Sequence, residues 1–155
     1  MISFVIPVYN EEKGFKKFYT EMLLPELKKL KYGYELILVN DGSKDKSLQI
    51  IQELAEKDKH IKVLSFSRNF GKEVALTAGI REAEGAAVFT MDADGQQPPK
   101  LIPEFIKKWE NGAELVIGVR GKYEKHGFIA KLGSKWFYRI RGWMGVKGMV
   151  PGSTD

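Results

Sequence analysis

The chain contains no cysteine, which excludes disulfides, zinc–thiolate centres and thiol nucleophiles. That absence fits a reducing, cytosolic compartment. No apolar run approaches the ~20 residues needed to span a bilayer. Ile2–Val8 is too short, and lacks the basic lead, to be read as a signal peptide. There is no G-x-G-x-x-G after the first apolar run, which argues against a dinucleotide site. The G-x-x-x-x-G-K-[ST] spacing of a Walker A loop is missing as well. Repeats, low-complexity tracts and linkers are absent.

What remains is an ordinary globular composition, 43% hydrophobic and 29% charged over 155 residues, enough for one domain with a real core. The net charge of +5 is unevenly placed. Residues 1–119 hold 17 Lys and Arg against 18 Asp and Glu, whereas residues 120–155 hold 8 against 2. The basicity therefore belongs to the tail, which argues against nucleic-acid binding by the rest of the chain.

Five β-branched-rich runs read as strands: Ile2–Val8, Tyr34–Val39, Ile61–Phe66, Ala86–Met91 and Glu114–Val119. Helical periodicity lies between them. Phe15, Phe18, Tyr19, Met22 and Leu23 share one face, and Leu48, Ile51, Leu54 and Ala55 another. Val74, Ala75, Ala78 and Ile80 mark a third helix. Leu101, Ile102, Phe105, Ile106 and Trp109 mark a fourth, opened by Pro98-Pro99. This alternation predicts an α/β fold with a mostly parallel central sheet and helices on both faces.

In such sheets ligands bind beyond the carboxyl ends of the strands. The chemistry-bearing residues fall there. Asp92-Ala93-Asp94-Gly95-Gln96 follows the fourth run and places two carboxylates and an amide oxygen at alternate positions. In an extended chain these point the same way, so all three side chains are expected to converge on one Mg²⁺ or Mn²⁺. The competing reading is a polar loop whose acids cap the next helix. An aspartyl phosphatase, a phosphoreceiver domain and an EF-hand each fail on residue type or context.

The other loops add partners. After the first run, Pro7 suits a strand end, Tyr9 is placed to stack on a flat ring, and Glu11 to accept from a base or ribose. The acids there also suit the first turn of a helix. After the second run, Asp41 is placed to accept from a nucleobase N–H, while Gly42 with Ser43 or Asp45 reads as a turn and helix cap. After the third, Arg68 and Lys72 flank a helix start that favours anions, or form a solvated basic turn. After the fifth, Arg120 has the fork geometry to meet a pyrophosphate, or is a surface charge.

In the tail, Ile129, Leu132, Gly133, Trp136, Phe137, Ile140, Trp143 and Met144 recur at helical spacing, with Lys131, Lys135 and Arg139 as a stripe beside them. That pattern fits an interfacial helix on an anionic membrane surface, or a helix packed on other protein.

Taken in order, Pro7-Val8-Tyr9-Asn10-Glu11-Glu12, Val39-Asn40-Asp41-Gly42-Ser43, Ser67-Arg68-Asn69-Phe70-Gly71-Lys72, Asp92-Ala93-Asp94-Gly95-Gln96-Gln97-Pro98-Pro99 and Val116-Ile117-Gly118-Val119-Arg120 resemble a family 2 glycosyltransferase of the GT-A fold. The Arg-Asn-Phe-Gly-Lys and Asp-x-Asp-x-Gln-x-Pro-Pro forms resemble the branch that loads a sugar onto polyprenyl phosphate. The resemblance implies a GT-A, Rossmann-like three-layer sandwich, with a nucleotide-sugar-binding core over 1–120 and a basic acceptor- or membrane-facing segment of the same domain over 121–155.

It implies a nucleoside pocket of Pro7, Tyr9, Glu11, Val39 and Asp41, with Asp92, Ala93 and Asp94 along ribose and diphosphate. Arg68 and Lys72 would lie near the donor, Asp94 and Gln96 on the metal, and Arg120 at phosphate or acceptor. Asp155 matches an acid near the acceptor and is the candidate base if the acceptor is a hydroxyl. Two positions depart from the family pattern. Asn40-Asp41 replaces a pair of acids, and Gly95-Gln96-Gln97 replaces Leu-Gln-Asp or Leu-Gln-His, which loosens the loop.

The expected reaction is inverting transfer from a UDP- or GDP-linked sugar to polyprenyl phosphate, on the cytoplasmic side of a membrane. Anchoring helices would follow residue 155, and self-association stays open. The alternatives are extension of a cell-surface polysaccharide or glycolipid, and a non-catalytic nucleotide- or lipid-binding module.

Overall fold

The computed structural model describes residues 1–118. Four strands form: β1 (Ile2–Val8), β2 (Tyr34–Asn40), β3 (Ile61–Ser65) and β4 (Ala87–Thr90). All pair in parallel, in the order β3-β2-β1-β4. The register sets Pro7 beside Val39, and Phe4 beside both Leu36 and Phe89. After β3 the chain crosses to the far side of β1, so the strand order reverses between β1 and β4. A crevice for ligand opens at such a point.

The helical segments are α1 (Phe15–Lys17), a π-helical stretch (Phe18–Leu23), α2 (Leu24–Leu27), α3 (Ser47–Ala55), α4 (Lys72–Arg81), a 3₁₀ turn (Pro99–Leu101) and α5 (Ile102–Glu110). Alternate strand residues feed two layers. Phe4, Ile6, Val8, Leu36 and Leu38 pack with Phe15, Leu23, Ile51 and Ile102 in the main core. Val5, Ile37 and Val39 face the other way, onto Ala75 of α4.

Three expectations need correction. Residues 115–118 carry no regular secondary structure, and Leu115 and Ile117 are exposed, so the fifth run is not a strand over its described length. A strand needs a partner to complete its ladder, and apolar periodicity alone does not supply one. On α4, Val74 and Ile80 are exposed, while Ala75 and Gly79 are buried. Small residues one turn apart let the helix lie close on the sheet. A Cβ on Gly79 would stand 2.4 Å from Val5 Cγ1 and 3.0 Å from Val39 Cγ2. Lastly, Met22 is partly exposed although Phe18, Tyr19 and Leu23 are buried. The π-helical stretch ends beside Pro25, which lacks an N–H, and its wider turn moves Met22 off the core face.

The chain divides into two compact units, Met1–Ala113 and Glu114–Asp155. Among the described residues no helix is long and apolar enough to cross a membrane.

Candidate active site

The loops that leave β1 and β2 are stitched together. Asn10 takes a left-handed backbone (φ 55°), which asparagine tolerates better than most residues. Its N–H donates to Ser43 Oγ (3.1 Å), and its Oδ1 accepts from the Lys44 N–H (2.9 Å). Glu11 N–H donates to Ser47 Oγ (2.7 Å) and Glu12 N–H to Asp45 Oδ2 (3.0 Å). Asp45 Oδ1 also accepts from the Ser47 N–H at the start of α3 (2.9 Å), so Asp45 rather than Ser43 serves that helix start. This frame fixes Tyr9, which is exposed, and Glu11, which is half-buried.

Asp41 is buried at the end of β2, and its N–H donates to Val8 O (2.9 Å). Its carboxylate is already engaged. Oδ1 accepts from the Phe70 N–H (2.7 Å) and Oδ2 from the Gly71 N–H (3.0 Å). The Val39 side chain is sealed in the core on the α4 side, and Pro7 beside it is half-buried. Arg68 stacks over the Phe70 ring, its guanidinium carbon 4.8 Å from the ring centroid.

Past β4 the expectation of three converging ligands does not hold as stated. The strand ends at Thr90 and the chain turns at Ala93–Asp94, so Asp92 and Asp94 meet different partners. Asp92 Oδ1 pairs with Lys72 Nζ at 2.7 Å, and its Oδ2 accepts from Gln97 Nε2 (3.2 Å). Asp94 stands exposed, with Oδ1 accepting from the Gln96 N–H (2.9 Å). Ala93 is buried in the main core between them. Gly95 has φ +72°, and a Cβ there would approach Phe18 and Met22 at 3.4–3.5 Å, so the acidic loop lies on the π-helical stretch.

The electrostatics separate the two aspartates. Lys72 neutralises Asp92. Asp94 faces Glu11 instead: burial, then the charges of Asp94 and Asp45, push the Glu11 carboxyl above its ordinary value. Among the described residues no cation is paired with Glu11 or Asp94, and negative charge of that kind is what a divalent cation relieves. Among the described residues no group of three acidic, histidine or cysteine side chains could enclose a metal. An all-oxygen donor set of one or two protein ligands is the kind Mg²⁺ takes when phosphates and waters complete its shell. The residues present therefore fit a metal shared with a phosphate-bearing ligand.

The described site thus brings together Glu11, Asp94, Asp92 and Lys72, with Asp41 beneath the β3–α4 loop. Arg120, Asp155 and the apolar arc of 129–144 lie outside the described residues. Sequence reasoning named Asp45 as a cap candidate but missed Gln97, Asn10 and Ser47 as supports. Their partners lie 5 to 36 residues away, and only the repeated Gln of Asp-Gly-Gln-Gln offered a local signal.

The chain is similar to known proteins over most of its length. The family model described as glycosyl transferase family 2 matches residues 3–150. An uncharacterised glycosyltransferase of Synechocystis is 42% identical over 99% of this chain and 48% of its own length. A bactoprenol glucosyl transferase of Shigella phage SfV is 43% identical over 90% of this chain and 45% of its own. The chain thus spans about half the length of the curated relatives it matches.

Among solved structures, Staphylococcus aureus TarS 1–349 in complex with UDP aligns with a TM-score of 0.53 and 25% identity, over 76% of this chain and 38% of that chain. The mannosyltransferase PcManGT of Pyrobaculum calidifontis, in complex with GDP-Man and Mn²⁺, aligns with a TM-score of 0.57 and 21% identity, over 90% and 37%. These neighbours have the GT-A fold, and the described strand order agrees with it.

Proposed function

The chain belongs to glycosyl transferase family 2, and on that premise we propose that it transfers a sugar from a UDP- or GDP-linked donor to polyprenyl phosphate with inversion. One observation carries this reading: past the ends of β1 and β4, Glu11 and Asp94 repel each other with no cationic partner for either among the described residues, and Lys72 at the start of α4 reaches the same acidic loop through Asp92. The first suits a metal and the second a diphosphate. The relatives named bactoprenol glucosyl transferases support the lipid acceptor.

In this account Tyr9 stacks on the base, Glu11 accepts from the nucleoside, Pro7 lines the pocket, and Val39 supports it from the core behind. Arg68, Lys72 and Arg120 meet phosphate oxygens and stabilise charge on the departing diphosphate. Asp94 with Gln96 would hold an Mg²⁺ or Mn²⁺, which would add positive charge at that diphosphate. An oxygen of the acceptor phosphate attacks the anomeric carbon as its bond to the diphosphate breaks. The nucleoside diphosphate leaves from the opposite face. The acceptor oxygen is already anionic, so no general base is required. A hydroxyl acceptor would need one, and Asp155 is the candidate. Transfer takes place at the cytoplasmic face, where the lipid phosphate lies.

The test incubates the intact protein with radiolabelled UDP- or GDP-sugar, Mn²⁺ and polyprenyl phosphate. Label in the lipid fraction, with inverted configuration at the anomeric carbon, supports the reading. Label only in a hydroxyl-linked glycan, or donor binding without transfer to either acceptor, contradicts it.

A further inference from the structure

Two adjacent residues tie the β3–α4 loop to the end of β2. Asp41 receives the Phe70 and Gly71 N–H groups, one on each oxygen. Gly42 (φ +63°) lies so close that a Cβ there would stand 2.2 Å from Arg68 C and 2.5 Å from Asn69 N. The tie reaches past the loop. Gly71 (φ +97°) is the N-cap of α4, and the next residue, Lys72, begins the helix. Lys72 Nζ then meets Asp92 at 2.7 Å. From β2 to the acidic loop there is one unbroken series of contacts, running Asp41, Gly71, Lys72, Asp92.

We infer that Asp41 is a positioning residue: by holding the Phe70 and Gly71 N–H groups it sets where α4 begins, and so aims Lys72 at the diphosphate of a bound nucleotide. The inference rests on the nucleotide-sugar reading above and gives Asp41 a task other than reading the base. Asp41 is only 2% exposed, and both its oxygens hold backbone N–H groups at charge-assisted distances. Lys72 needs a fixed origin because its four-carbon stem is flexible and its ammonium is a point charge with no fork of its own. A helix start that moves by a fraction of a turn carries that ammonium away from the diphosphate.

The experiment compares nucleoside with nucleoside diphosphate, using uridine with UDP and guanosine with GDP, by calorimetry in Mn²⁺. The proteins are the unsubstituted chain, Asp41→Asn, Lys72→Met and the double variant. Asp41→Asn keeps the shape but turns one acceptor into a donor facing a backbone N–H. It should weaken the diphosphate roughly ten- to a hundredfold, the range of a lost hydrogen bond to a charged group, and leave nucleoside affinity unchanged. In the Lys72→Met background the same substitution should have little further effect, because its target is gone.

Equal weakening of nucleoside and diphosphate by Asp41→Asn overturns the inference. So do losses that multiply in the double variant. If Asp41→Asn does not fold, as judged by its melting curve, Lys72→Met alone decides: unchanged diphosphate affinity overturns the inference, and selective loss supports it. If the unsubstituted chain binds neither ligand, the nucleotide reading fails and this inference falls with it, an outcome distinct from the others.

Discussion

Lys72 and Asp92 form an ion pair of 2.7 Å that joins the first residue of α4 to the loop after β4. The pair gives the two aspartates of the acidic loop different charge environments, since Asp94 has Glu11 rather than a lysine as its charged neighbour. Replacing Lys72 with Met should therefore act in opposite directions on two ligands. Asp92 then has no cationic partner among the described residues, so affinity for Mn²⁺ alone should rise severalfold, on the order of 1 kcal/mol for a unit charge screened by water. Affinity for a nucleoside diphosphate should fall. Titration of each ligand by calorimetry checks this, and a fall in both affinities would contradict it.

Much of this arrangement is legible in the sequence, and the exceptions have physical causes. The boundaries of β1 match the reading residue for residue, because an apolar run interrupted only by Ser3 and ending in Pro-Val-Tyr-Asn has only one plausible end. The placing of Tyr9, Asp41 and Asp92 just past strands, and of Lys72 at a helix start, follows from that periodicity. What Asp41 and Asp92 hold does not, since their partners lie 29–30 and 20 residues away. The face of α4 differs from the apolar periodicity because Gly79 carries no hydropathy signal, yet lies close on Val5 and Val39 of the sheet. The fifth run has the composition of a strand, but composition does not supply a ladder.

The close approach of α4 yields a direct stability prediction. Gly79→Ala places a methyl group 2.4 Å from Val5 Cγ1, and overpacking of that kind costs about 1–3 kcal/mol. Gly33→Ala is the control: no atom lies within 4 Å of its Cβ and its φ is not positive. It should be neutral, or stabilising by up to about 1 kcal/mol through the unfolded state. Melting temperatures of the two variants separate these outcomes.

A second stability prediction concerns the opposite end of the sheet. Glu35 is 4% exposed and accepts from Ser3 Oγ at 2.5 Å and from the Glu84 N–H at 2.7 Å. Lys62 Nζ lies 2.9 Å from its other oxygen, as an ion pair and without a well-directed hydrogen bond. Burial pushes the Glu35 carboxyl upward, but the contacts from Ser3, Lys62 and Glu84 outweigh it and hold the group below its ordinary value of 4.5. A depressed folded value means that the stabilisation is present above 4.5 and is lost as pH falls through the folded value. Glu35→Gln should therefore lower stability at pH 7 by about 1–3 kcal/mol, and its deficit should shrink as pH falls below 4.5. Denaturant melts at several pH values test both parts.

Glu11 should behave in the opposite sense. Its carboxyl is raised in the folded chain, so ionised Glu11 opposes folding and stability is lost as pH rises through the raised value. Glu11→Gln should stabilise the ligand-free chain at neutral pH by under about 1 kcal/mol, since the group is only half-buried. It should weaken binding of the nucleotide with metal, as expected where a site retains strain for function. A carboxyl-carbon NMR titration adds a direct readout: Mn²⁺ is paramagnetic, so Mg²⁺ is used, and it should lower the Glu11 titration midpoint.

The most direct test of the central claim is calorimetric binding of UDP and GDP, with and without Mn²⁺, to this chain and to Asp94→Ala. The account predicts that one nucleotide binds in the presence of Mn²⁺, that omitting the metal weakens it at least tenfold, or about 1.4 kcal/mol, and that Asp94→Ala removes the metal's contribution. Equal binding with and without Mn²⁺, or metal-dependent binding that survives in Asp94→Ala, would contradict it.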